Sequence, residues 1–171
     1  DVVSPSVEFA LQKSQTKNIG VIGTTNTVNS KTYSHQLSNI NTGFSIHEIA
    51  CPLFVPIIEE GWADSSIATD VADIYLHEFE GKNIDTLILG CTHYPIIANT
   101  IKSVLSDNVR MVFSGKTVGQ KLSSYLNDNK MNSTLSSSGN IEFYVSDFPQ
   151  KFDELGSRFF GRKLNKVSHV S

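Results

Sequence analysis

The chain has 171 residues, a formal net charge of −3 and 39% hydrophobic residues, enough for one ordinary domain that buries about two-thirds of its unfolded surface. The mild charge, with no basic cluster interleaved with aromatics, excludes nucleic acid as a favoured partner, and no apolar run approaches the roughly twenty residues that cross a bilayer. Its two cysteines, Cys51 and Cys91, have neither a disulfide-framework nor a zinc spacing, so the expectation is a cytoplasmic protein that takes a small molecule and holds no metal.

In chain order, Ser4–Lys13 reads as a short helix with Pro5 in its first turn and Val7, Ala10 and Leu11 as its apolar face. Residues 18–23 form a strand, and Gly23-Thr-Thr-Asn-Thr27 turns it into a helix over 28–37. The hydroxyls of Thr24 and Thr27 at this exit are placed to donate to a carboxylate; plain N-capping by Thr24 or Thr25 is the simpler alternative. Residues 44–49 alternate imperfectly and suit a strand near a sheet edge, with His47 at the surface. Cys51 is followed by Pro52, which offers no N–H to a thiolate, so Cys51 reads as structural. The apolar run after it ends in Glu59-Glu60-Gly61, where a pair of acids is either functional or simply solvated.

The clearest helix covers 64–80, with Asp64-Ser-Ser at its start, an apolar stripe of Ile67, Val71, Ile74, Tyr75 and Leu76, and Gly81 as its stop. Thr86–Leu89 is an unalternating apolar strand of the kind buried on both faces, and 108–113 is another strand. Strand and helix thus alternate from 18 to 113, which predicts a three-layer, parallel α/β lobe with right-handed crossovers. Beyond it lie an amphipathic helix over 116–126, a polar loop over 127–140, a strand over 141–145 and a helix over 148–160.

The candidate chemistry sits at the end of the central strand. Gly90 permits a tight exit there, and Cys91 arrives at the strand's carboxyl end, where open α/β sheets bind ligands. Thr92 suits an N-cap. The N–H groups of a helix starting near His93, and the imidazole itself, are expected to draw the Cys91 thiol toward neutrality as a reactive pair. The plainer alternative is a packed cysteine beside the first residue of a helix.

Gly90-Cys-Thr-His-Tyr-Pro95 resembles the second cysteine motif of the cofactor-independent glutamate racemases. Supporting matches are Gly20-Val-Ile-Gly-Thr-Thr-Asn-Thr27 with Ser30 and Tyr33, and Ala50-Cys-Pro-Leu-Phe-Val-Pro-Ile-Ile-Glu-Glu-Gly61. The resemblance implies interconversion of L- and D-glutamate by cysteine-based proton transfer without a cofactor, supplying D-glutamate for peptidoglycan synthesis. It assigns catalysis to Cys91, assisted by His93 and by Glu59, with Glu60 as the fallback acid, and substrate binding to Thr24, Thr27 and Thr92. It also implies an amino-terminal segment carrying the first catalytic cysteine that nothing in these residues matches. On that reading, 1–16 is the last helix of a largely absent first lobe and its apolar face lacks its usual neighbours. Residues 17–113 are the complete lobe, and 114–171 return to the first one, so that the fold is one three-layer lobe with remnants of a second. Phe143, Phe148, Phe152, Phe159 and Phe160 would then offer an apolar surface to the missing lobe or to a second copy in a homodimer. The family's usual aspartate before Ser114-Gly115 is replaced by Phe113. The alternatives are a racemase for another amino acid such as aspartate, a cysteine hydrolase, for which His93 stands awkwardly close to Cys91, and a non-catalytic half that binds a carboxylate or a partner lobe.

Overall fold

A computed structural model describes residues 1–40, 43–134 and 139–170, and they fall into two compact units, Asp1–Lys130 and Met131–Ser171. The first unit is built on four parallel strands, β1 (Asn18–Gly23), β2 (Ser45–Ala50), β3 (Thr86–Leu89) and β4 (Arg110–Phe113), in the order β2-β1-β3-β4. The two unalternating segments take the inner positions, where every residue of β3 is buried, and the half-polar 45–50 segment takes an edge.

Helices cover both faces. α1 (Ser4–Lys13) precedes β1; α2 (Thr25–Asn29) and α3 (Thr32–Ile40) lead to β2; α4 (Phe54–Glu59), α5 (Ser66–Leu76) and a 3-10 turn (His77–Phe79) lead to β3; α6 (Ala98–Val104) leads to β4, and α7 (Ser114–Asp128) follows. On one face, Ile19, Val21, Ile88 and Val112 of the sheet pack with Val7, Ala10 and Tyr33. On the other, Ile22, Leu87 and Leu89 pack with Phe54, Ile58, Ala68, Ala72, Tyr94 and Ile101. The result is the three-layer parallel α/β architecture that alternating strands and helices predict.

Four local expectations are corrected. The apolar face of α1 does not lack neighbours: Val7 and Ala10 are 1% and 0% exposed against the sheet, and the buried Ser6 and Thr117 hydroxyls, 2.9 Å apart, join α1 to α7. The helix over 28–37 is two helices, because Lys31 adopts a left-handed conformation (φ 50°) between α2 and α3. In α5 the buried line is Ala68, Ala72 and Leu76, while Ile67 and Ile74 are 52% and 67% exposed; the small alanines let the helix approach its neighbours closely. Within the Asp64-Ser-Ser start the cap is Ser65, whose Oγ accepts from Ala68 N at 3.2 Å, as that stretch predicts. The 127–140 loop begins later than expected, since α7 runs to Asp128, and its residues 135–138 lie outside the described residues.

The link between α1 and β1 is held by one carboxylate. Asp85 Oδ2 accepts from the backbone N–H groups of Gln15 (2.6 Å) and Thr16 (2.8 Å), and Oδ1 from the Thr86 hydroxyl (3.0 Å). Burial pushes the Asp85 carboxyl up, but the Ser14 side chain together with these donors outweighs it and brings the group down to about 2.

The second unit is a small β-α-β arrangement: β5 (Phe143–Val145) and β6 (Val167–His169) pair in parallel, with α8 (Pro149–Phe160) between them in sequence. Phe143 packs inside it, its ring 6.3 Å from that of Phe152 and 5.6 Å from that of Phe160. A Cβ at Gly156 would lie 2.8 Å from Leu164 Cδ1, so glycine is what lets that buried leucine close on the helix. Phe148 stays 71% exposed. Among the described residues no helix is long and apolar enough to cross a membrane.

Candidate active site

The strand order places the site. From β1 the chain moves to the edge strand β2 on one side, while β3 lies on the other, so the crossovers around β1 and β3 leave in opposite directions. A crevice opens outside the carboxyl ends of such a strand pair, and here those ends are Gly23-Thr24 and Gly90-Cys91. A cavity of about 400 Å³ lies there, lined by residues that include Thr27, Tyr33, Cys91, Thr92, Ser114 and Val118.

Close packing fixes the thiol's position. Gly90 N–H donates to Ile22 O at 2.7 Å, and a Cβ on Gly90 would stand 2.8 Å from that same oxygen and 3.2 Å from the Tyr33 ring and hydroxyl. No side chain fits between strand β1 and Tyr33, so the exit is tight because the sequence leaves Gly90 bare. Beyond Cys91, Tyr94 anchors the chain: it is fully buried, lies edge-on to Phe54 at 5.3 Å, and its hydroxyl donates to Cys51 O at 3.0 Å. Cys51 itself is buried and its thiol is pushed well up by burial, in agreement with a structural role.

Two expectations fail at this point. Thr92 caps no helix: residues 91–97 form successive turns, with Tyr94 N donating to Cys91 O (3.3 Å), Ile96 N to His93 O (3.1 Å) and Ile97 N to Tyr94 O (3.2 Å), and α6 starts only at Ala98. Pro95 has no N–H to give, and it disfavours helical geometry at the residue before it. The Cys91 thiol is not drawn toward neutrality either. Burial pushes it up, against an opposing pull from the His93 and Tyr94 backbone N–H groups, and burial wins.

The geometry around the thiol is nevertheless directional. Cys91 Sγ lies 4.0 Å from His93 Nδ1, and His93 Nε2 lies 3.6 Å from Glu59 Oε1, with both side chains about 30% exposed. The Thr92 hydroxyl is 3.5 Å from the same Nδ1. Glu59, the last residue of α4, therefore faces the imidazole, while Glu60 beyond it is exposed. Among the described residues no group of three or more His, Cys, Asp and Glu is placed to hold a metal ion.

Thr24 and Thr27 occupy the neighbouring exit. Thr24 caps α2, its Oγ1 accepting from Thr27 N at 3.3 Å, and the two hydroxyls are 3.0 Å apart. Thr27 lines the cavity with Cys91 and Thr92; Thr24 stands behind it. Sequence reasoning singled out Tyr33 and Ser30 only as motif residues, and gave no role to the other lining groups Val2, Val3, Thr32, Ser114, Gly115 and Val118. The topology alone brings them together, since α1, α3 and α7 are separate in the chain and meet on one face of the sheet.

Fold and cavity together define an α/β lobe that presents a thiol at the switch point of a parallel sheet. No protein-family model matches the chain. It is similar to the glutamate racemase of Geobacter metallireducens, 36% identical over 99% of this chain and 63% of that protein, and to the glutamate racemase of Chlorobaculum parvum, 38% identical over 99% and 62%. The crystal structure of Francisella tularensis glutamate racemase in complex with D-glutamate superimposes on it with a TM-score of 0.90 at 36% identity, covering 100% of this chain and 63% of that one. Over its own length this chain is similar to these glutamate racemases, and it spans about 63% of the length of the relatives it matches.

Proposed function

We propose that the protein to which these residues belong interconverts L- and D-glutamate, and that Cys91 is one of its two proton-transferring groups. The observation that carries the reading is the sequence of contacts from Cys91, which lines the switch-point cavity, to His93 and on to Glu59. Inversion at an α-carbon needs a base on each face, and a thiolate of high basicity is suited to a weakly acidic C–H. Because burial holds the Cys91 proton tightly, the imidazole 4.0 Å away is the group that exchanges that proton, with Glu59 holding the ring in place. The resemblance puts Cys91 on the face of the L-enantiomer.

The hydroxyls of Thr27 and Thr92 that line the cavity, with nearby backbone N–H groups, hold the substrate carboxylates and the charge that develops at the α-carbon. Thr24 supports Thr27 from behind. Cys51 is buried and hydrogen-bonded toward Ile49 O, so it does not serve as the base for the opposite face. The D-glutamate produced would serve peptidoglycan synthesis.

Binding is tested by titrating the chain with L- and D-glutamate while following backbone amide signals by NMR. Shifts concentrated at Thr27, Cys91 and Thr92 are expected; shifts absent there, or matched by succinate and acetate alike, would overturn the assignment of substrate.

A further inference from the structure

The floor of the cavity is a residue to which nothing above assigns a role. Tyr33, at the start of α3, is 3% exposed, and its ring and hydroxyl edge occupy the space where a Cβ of Gly90 would go. On its other side it has Ser114, the first residue of α7, as a hydrogen-bonding neighbour, and the Ser114 hydroxyl donates to Leu89 O at 2.9 Å. The phenol therefore touches the residue before Cys91, and the serine bonds to the residue before that. Together they join three elements, α3, β3 and α7, directly behind the thiol.

We propose that Tyr33, through Ser114 and Gly90, is a positioning residue for Cys91: it holds the Gly90–Cys91 turn so that the sulfur keeps its 4.0 Å approach to His93 Nδ1. The inference rests on the reading of Cys91 as a proton-transferring thiol, but its test does not need turnover. The groups that bear on this thiol are His93 and Tyr94 from its own turn, Glu59 of α4 through the imidazole, and Tyr33 of α3, whose own phenol is pushed up by burial, with the charges of Cys91 and Glu48 adding to that. Of these only Tyr33 touches the backbone that leads into the cysteine.

Replacing Tyr33 with Phe removes one oxygen and keeps the ring in the core. The wall against Gly90 is then loosened and Ser114 loses its phenol neighbour, so the turn drifts and the sulfur moves away from the His93 imidazole that supports the thiolate. Thiolate formation moves to higher pH.

The experiment is alkylation of the folded 171-residue chain by iodoacetamide across pH 6 to 10, read by intact mass, with Cys91→Ser as the blank for buried Cys51. Tyr33→Phe and Ser114→Ala are expected to raise the midpoint of Cys91 alkylation by about half a pH unit or more, while both keep a thermal midpoint close to that of the parent. An unchanged alkylation midpoint in both variants, or a lowered one, would overturn the proposal. So would a loss of thermal stability without a change in the profile, which is what a purely structural tyrosine gives. If the profile shifts yet no glutamate chemistry is found, the positioning role stands and the racemase reading fails on its own.

Discussion

Gly90 and Glu59 show how single atoms set this site. A methyl group at position 90 would press on the carbonyl oxygen of Ile22 at 2.8 Å, and that oxygen belongs to the neighbouring strand and cannot swing away. At Gly20 the close atoms are the ends of the Ile84 and Leu87 side chains, which can rotate. Gly90→Ala is therefore expected to destabilise the chain by about 1–3 kcal/mol and more than Gly20→Ala does, measured by urea unfolding. The functional counterpart is Glu59→Gln. It keeps the shape but weakens the hold on His93, and slows Cys91-dependent proton exchange at glutamate about tenfold or more, whereas Glu60→Gln leaves it unchanged. Kinetics of α-proton exchange for the two variants decide this.

Most of these residues were legible. Cys91, His93, Thr27 and Glu59 stand in recognisable patterns, and which of two adjacent acids faces the imidazole is fixed only when α4 closes at Glu59. The state of the thiol was not legible, because it is a balance between burial and two backbone donors that only the packed turn reveals. Tyr33 and Ser114 were hidden for another reason: they lie far from Cys91 in sequence and reach it only through the sheet.

At the scale of elements, the strands were the easier part. The unalternating run Thr86–Leu89 reads as a central strand and the half-polar 44–49 as one near an edge, and the sheet order places them so. The helices deviated where one residue overrode the pattern: Lys31, left-handed, splits α2 from α3 and sends Tyr33 toward the cavity, and Pro95 delays α6 to Ala98. The packing of α1 onto the sheet depends on the short link that Asp85 holds. The Asp85 carboxyl falls to about 2 in the folded chain, below its usual value near 4. Its contribution is therefore fully present above about pH 4 and disappears as pH falls through about 2. Asp85→Asn should be less stable than the parent at pH 6, with the gap closing between pH 4 and pH 2, as measured by urea midpoints at each pH.

At the scale of the whole molecule, a parallel sheet brings two strand exits side by side, one carrying hydroxyls and the other a thiol, and a cavity opens between them. On the proposed function, Cys91 removes the α-proton of L-glutamate. The direct measurement is loss of the α-proton signals of L- and D-glutamate in heavy water, by proton NMR, for this chain and its Cys91→Ser variant. The expected result is slow loss from L-glutamate, none from D-glutamate, and no loss from either with Cys91→Ser. Exchange that ignores the Cys91 substitution, exchange from both enantiomers, or no difference between parent and variant would contradict it.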